Sequence, residues 1–193
     1  MYKLLFALLM TVGMTTAMCA QQKQKMNSKH SNSKILVAYF SATGTTARAA
    51  EKLGAAVGGD LYPIAPAQPY TSADLDWNNK RSRSSVEMND PKMRPAIKSK
   101  KENIGTYDVV FIGYPIWWGI AAWPVNEFVL SNDFTGKTVI PFCTSASSGL
   151  GQSGELLAEM AGGGNWLEGH RFSERPSQSD IQSWLNSLEI FGE

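Results

Sequence analysis

Cysteine, histidine and any excess of one charge are scarce in this chain. Cys19 and Cys143 are its only cysteines and His30 and His170 its only histidines. A disulfide framework, a Cys-rich zinc site and a His-spaced metal site are therefore excluded, and no metal is expected. Lys and Arg number 18 against 17 Asp and Glu, a formal charge of +1, so no strong field draws the protein to nucleic acid or an anionic membrane. Charged residues make up only 18% and hydrophobic ones 43%, which excludes a disordered polyelectrolyte, collagen and a coiled coil. A length of 193 residues suits one globular domain with a sizeable core and is short for two.

The first twenty residues have the pattern of an export signal. Lys3 supplies a minimal positive start, residues 4–14 are apolar apart from Thr11 and Gly13, and residues 15–20 are small-residue rich. The apolar run is too short to span a bilayer comfortably. Cleavage after Cys19 or Ala20 would release the body to the periplasm. Lipidation of Cys19 would instead tether it to a membrane, although Met18 before it departs from the usual small residue. Residues 21–33, QQKQKMNSKHSNS, are polar and unpatterned and predict a mobile tether. The domain proper is expected over 34–193.

From Lys34 onward apolar runs alternate with helical patterns. Residues 35–40 predict a strand; Ala47, Ala50, Leu53 and Val57 follow at helical spacing. Residues 61–64 predict a second strand, 108–113 a third, 138–143 a fourth and 166–172 a last one, with helices over 155–160 and 179–188. Continuous apolar strands imply cover on both faces, hence a parallel sheet, though Pro141 conflicts with a central strand position. The βαβ alternation predicts an α/β fold, an open five-stranded parallel sheet with helices on both faces. Its ligand site should lie beyond the carboxyl ends of the strands.

Three loops sit at those ends. The first, Ser41, Ala42, Thr43, Gly44, Thr45 and Thr46, joins a strand to a helix and offers hydroxyls and backbone N–H groups to an anion such as a phosphate monoester. Taken alone, it reads equally well as an ordinary Ser/Thr helix cap. It lacks the Lys of a P-loop and the glycine spacing of a dinucleotide fold. The second, Tyr114, Pro115, Ile116, Trp117, Trp118 and Gly119, places adjacent indoles where a flat ligand could stack, one of them expected to pack inward. The third, Thr144, Ser145, Ala146, Ser147, Ser148 and Gly149, has no bulky side chain, so its backbone could approach the polar edge of a planar ring. Together they describe a site for flavin mononucleotide (FMN).

SATGTT, YPIWWG and TSASSG, in that order, resemble the phosphate, stacking and ring-edge loops of the flavodoxin-like family, over residues 34–188. The resemblance implies the strand order 2-1-3-4-5. It also implies FMN held by Ser41 to Thr46, sandwiched by Pro115, Ile116, Trp117, Trp118 and Gly119 and edged by Thr144, Ser145, Ser147 and Gly149. One- or two-electron transfer would follow without catalytic side chains. Flavodoxins are typically acidic and cytoplasmic; this neutral, exported chain would use other redox partners.

Residues 65–107 exceed a standard crossover. Lys80, Arg81 and Arg83 there read as a solvated helical face, and Tyr70 or Trp77 as a lid over the ring. Cys143 reads as a core thiol, and His170 has no assigned duty. Three functions stay open: an FMN-binding electron carrier or small oxidoreductase, an NAD(P)H:quinone-reductase-type enzyme, and a non-redox protein binding another phosphorylated ligand.

Overall fold

The computed structural model describes residues 33–90, 92–188 and 190. The export signal over 1–20 and, Ser33 apart, the tether over 21–33 lie outside the described residues. Residues Lys34–Gln182 form one compact unit; those from Ser183 on fall to a second.

Strand β1 (Ile35–Tyr39) leads into helix α1 (Thr45–Val57), and β2 (Asp60–Pro63) follows. A long crossover carries the short helix α2 (Arg83–Met88) before β3 (Val109–Trp117), which turns back as β4 (Ile120–Ala121). Helix α3 (Pro124–Leu130), β5 (Thr138–Thr144) and helix α4 (Ser153–Ala161) come next, then β6 (Asn165–Trp166), β7 (His170–Phe172) and α5 (Gln178–Ser187).

The sheet runs β2-β1-β3-β5-β6, with β7 also on β5 and β4 folded onto β3. Every pairing is parallel except β3 with β4. With the two-residue β4 set aside and β6 and β7 taken as one split edge, this is the expected 2-1-3-4-5 order.

Both faces of the sheet are covered, which is why its strands are continuously apolar rather than alternating. Leu36, Ala38, Val110, Ile112 and Tyr114 form one core with Val125, Phe128 and Val129 of α3 and Leu157 of α4. The intervening Val37, Phe111 and Ile140 are equally buried, as are Ala49, Ala50 and Leu53 of α1, which packs against β1, β3 and β5. Burial of a side chain such as Leu53 contributes about 1.5–3 kcal/mol. Gly113 belongs to this second layer because a Cβ there would lie 2.2 Å from Phe142 Cζ.

Most boundaries shift by a residue or two, and three of the differences bear on the sheet and the site. The second strand starts and ends one residue earlier, at Asp60 and Pro63. The third runs on to Trp117, so most of YPIWWG is strand rather than loop. The last strand is split, and Pro141 accounts for the break. The carbonyls of Lys137 and Val139 accept from Asn165 and Leu167, so alternate residues of β5 face this edge and Pro141 falls next in the series. Having no N–H to offer, Pro141 occupies the gap between β6 and β7. Gly169 passes beside it, where a Cβ would lie 2.5 Å from the Pro141 carbonyl oxygen.

Candidate functional site

The start of α1 is open. Gly44, at φ 84°, occupies the cap position, and no side chain caps the first turn. The Ser/Thr-cap reading of this loop therefore does not hold. Thr43 Oγ1 lies 3.5 Å from Thr45 Oγ1 instead. Ser41 Oγ is buried and has no hydrogen-bond partner. Thr46 is 1% exposed, and its hydroxyl is 2.8 Å from that of Thr144, at the end of β5. Arg48, one turn into the helix, folds back so that Nη2 donates to Thr45 Oγ1 at 3.2 Å. The resulting concave end combines unpaired donors, helix dipole and a nearby guanidinium, all of which favour an anion.

The second loop is a two-residue hairpin. Trp117 pairs with Ile120, and both Trp118 (φ 46°) and Gly119 (φ 84°) are left-handed, as a type I′ turn requires. An indole in that backbone region is unusual and costs about 1–3 kcal/mol. Trp118 remains 42% exposed and stacks at 20° on Trp123, with centroids 6.1 Å apart. Trp117 is the inward indole, edge-on to Phe40, Tyr70 and Trp123 at 5.5, 5.1 and 6.0 Å.

A cleft of about 440 Å³ lies between these two loops. It is lined by Ser41, Ala42, Thr43, Thr45 and Thr46 on one side and by Pro115, Ile116, Trp117 and Trp118 on another. The third wall comes from the crossover, with Leu75, Trp77 and Ser84. No lining residue is acidic or basic. Gly44 and Gly119 adjoin the cleft through their loops without lining it. Ser84 holds the crossover wall, its N–H and Oγ both donating to the Asp74 carbonyl at 3.0 and 2.7 Å.

Of the two proposed lid residues, Trp77 lines the cleft and stands 72% exposed, whereas Tyr70 sits behind Trp117. Tyr70 donates to Glu87 Oε2 at 2.5 Å, while Arg83 Nε donates to Oε1 at 2.6 Å and its guanidinium stacks 4.0 Å above the phenol ring. Burial and the Glu87 bond raise the Tyr70 pKa. Arg83 is thus a structural ion-pair partner and not part of a solvated face; Lys80 and Arg81 are exposed, but in a turn ahead of α2 rather than on a helical face.

The third loop does not line the cleft. Thr144 closes β5 against Thr46, and Arg171 of β7 holds the next residues: Nε donates to Ser145 Oγ at 3.1 Å and Nη2 to the carbonyls of Ser145 and Ala146, each at 2.8 Å. Ser145 Oγ also donates to the Ser148 carbonyl. Ser147 and Gly149 lie farther along the same loop. A Cβ on Gly151 would lie 3.5 Å from the Gly119 carbonyl oxygen, so the stretch just beyond them adjoins the hairpin. The Arg171 clamp has no sequence signal, because Arg171 and Ser145 meet only through the pairing of β5 with β7. Burial pushes the Cys143 thiol up to about 12, consistent with a core role. Burial, with Arg171 nearby, lowers the His170 pKa. No cluster among the described residues could hold a metal ion.

This architecture has counterparts. A protein of Bacteroides eggerthii described as a flavoprotein is 70% identical, with a TM-score of 0.76 over 81% of this chain and 98% of its own. One from Bacteroides uniformis, described likewise, is 50% identical with the same TM-score, over 80% and 98% of the two chains. A Lactobacillus acidophilus flavoprotein solved in complex with FMN shares the fold at 22% identity and TM-score 0.59, over 79% and 99%. No curated protein matches the chain. A flavodoxin family model spans residues 34–188, from the strand before the open helix start to the last helix of the fold, and on that match the chain belongs to the flavodoxin family.

Proposed function

We propose that the cleft binds FMN and that the protein works as an electron carrier or small flavoprotein oxidoreductase. The observation that carries this reading is the buried, partnerless hydroxyl of Ser41 beside an uncapped helix start. A buried hydroxyl without a partner costs about 1–3 kcal/mol, a cost that an anionic oxygen at this place removes. The other parts of the cleft fit the rest of the cofactor. Ser41, Thr43, Thr45 and Thr46 with the first-turn N–H groups would hold the phosphate. Trp117, Trp118 and Trp77 would flank the flat ring, and Ser145, Ser147 and Gly149, in the loop beyond the cleft wall, would meet its polar edge. Bound FMN supplies one- and two-electron transfer; the protein contributes binding, orientation and exclusion of water.

Residues 41–50, 114–124 and 144–154 contain no Asp or Glu. These segments therefore place no carboxylate beside the flavin, and its reduction potential should be less negative than in an acid-rich site. The family membership and the FMN complex of the Lactobacillus relative support the cofactor. Residues 1–20 support export, so donor and acceptor would meet the protein outside the cytoplasm. Absorbance of the purified protein in the flavin bands, with an FMN titration, tests the proposal; a colourless protein that takes up no FMN would overturn it.

A further inference from the structure

Thr144 lies at the carboxyl end of β5, opposite Pro115, and in this position resembles a ring-edge residue. Its hydroxyl is committed elsewhere. It sits 2.8 Å from Thr46 Oγ1, across 98 residues of sequence, and the two side chains are 3% and 1% exposed. Thr46 lines the cleft; Thr144 does not.

A hydroxyl has a single proton and two lone pairs. If Thr46 donates to Thr144, its proton is used and it turns only lone pairs toward the cleft, which repels an anion. If Thr144 donates to Thr46, the Thr46 proton is released to point into the cleft. The second arrangement also polarises the Thr46 hydroxyl, since a group that accepts a hydrogen bond becomes a stronger donor. An anion at the start of α1 therefore selects the arrangement in which Thr144 donates.

We propose that Thr144 is a positioning residue of the phosphate end of the site, acting through Thr46, and not a ring-edge contact. The proposal rests on the FMN reading above. It makes the preference for a phosphorylated over an unphosphorylated flavin depend on a residue outside the cleft wall.

The test compares FMN with riboflavin, which lacks the phosphate, by fluorescence titration of the flavin-free protein. Thr144→Val keeps the side-chain shape and removes the proton. It should weaken FMN binding about 2- to 5-fold, the loss of the polarisation that Thr144 gives the Thr46 donor, and leave riboflavin binding unchanged. Thr144→Ser keeps the hydroxyl and should restore the wild-type ratio of the two affinities. Thr144→Ala reads the same hydroxyl if the valine variant does not fold. A parallel loss of both affinities in Thr144→Val would make Thr144 a ring-edge or packing residue and overturn the proposal, as would an unchanged FMN affinity. A wild-type protein that binds both flavins equally would overturn the phosphate reading of the first loop, and this proposal with it.

Discussion

Ser41→Ala separates what the first loop does for binding from what it does for folding. An ordinary capping serine stabilises its helix, and its loss costs about 1 kcal/mol. Ser41 is different: its Oγ is buried and pairs with nothing, so in the flavin-free protein it carries only the cost of desolvation. Replacing it by alanine should leave the flavin-free fold unchanged or stabilise it by up to about 1 kcal/mol. Binding should move the other way. A hydrogen bond to a charged phosphate contributes about 1.5–3 kcal/mol, so FMN affinity should fall roughly 10- to 150-fold. Urea unfolding with and without FMN reads both effects. At 100 times the wild-type Kd, FMN stabilises the wild type by about 2.7 kcal/mol. A variant with 30-fold weaker binding, at the same FMN concentration, gains only about 0.9 kcal/mol. A Ser41→Ala protein that loses 1 kcal/mol or more without flavin while keeping its FMN affinity would refute this reasoning.

Arg48→Gln should lower FMN affinity about 2- to 5-fold at low ionic strength, leave riboflavin unaffected and flatten the salt dependence, because Arg48 is an exposed guanidinium beside Thr45; titrations at two salt concentrations check this. Gly119→Ala should destabilise the hairpin by about 1–2 kcal/mol through backbone strain alone, since a Cβ there meets nothing within 4 Å, as urea melts will show. Gly113→Ala should cost about 3 kcal/mol or more by driving a Cβ into the Phe142 ring, and Phe142→Leu in the same chain should recover part of the loss. Cys143 has a folded-state pKa of about 12 against an ordinary 9.0, so its contribution to stability is intact below pH 9 and declines as pH rises from there toward 12. At pH 8 it should react with a thiol reagent only on unfolding.

The parallel sheet and the two cleft-forming loops were legible because parallel strands covered on both faces must be apolar throughout, and because hydroxyl-rich and indole-rich segments then fall at their carboxyl ends; the strand order followed only from the family resemblance. The hairpin at Trp118 was not. Trp is a poor residue for a left-handed turn, so no turn signal precedes Gly119, and Trp117–Ile120 pairing is visible only once β3 is built. The uncapped start of α1 was equally hidden. Four hydroxyl residues in six read as capping candidates, and only the backbone places Gly44, which has no side chain, at the cap. Pro141 marked a conflict that the sheet resolves by splitting its edge strand. Trp77 was legible as a lid residue, but Leu75 and Ser84 beside it, the Arg83–Glu87–Tyr70 anchor and the Arg171 clamp depend on residues brought together by the fold, so periodicity could not reveal them.

We propose that the hydroxyls at the start of α1 are a phosphate site for FMN. Calorimetric titration of the flavin-free wild-type protein with FMN and then with riboflavin tests it most directly. One FMN should bind per chain, at least about tenfold more tightly than riboflavin, the difference one charge-assisted hydrogen bond would make. Equal affinities, or no heat with FMN, would contradict it.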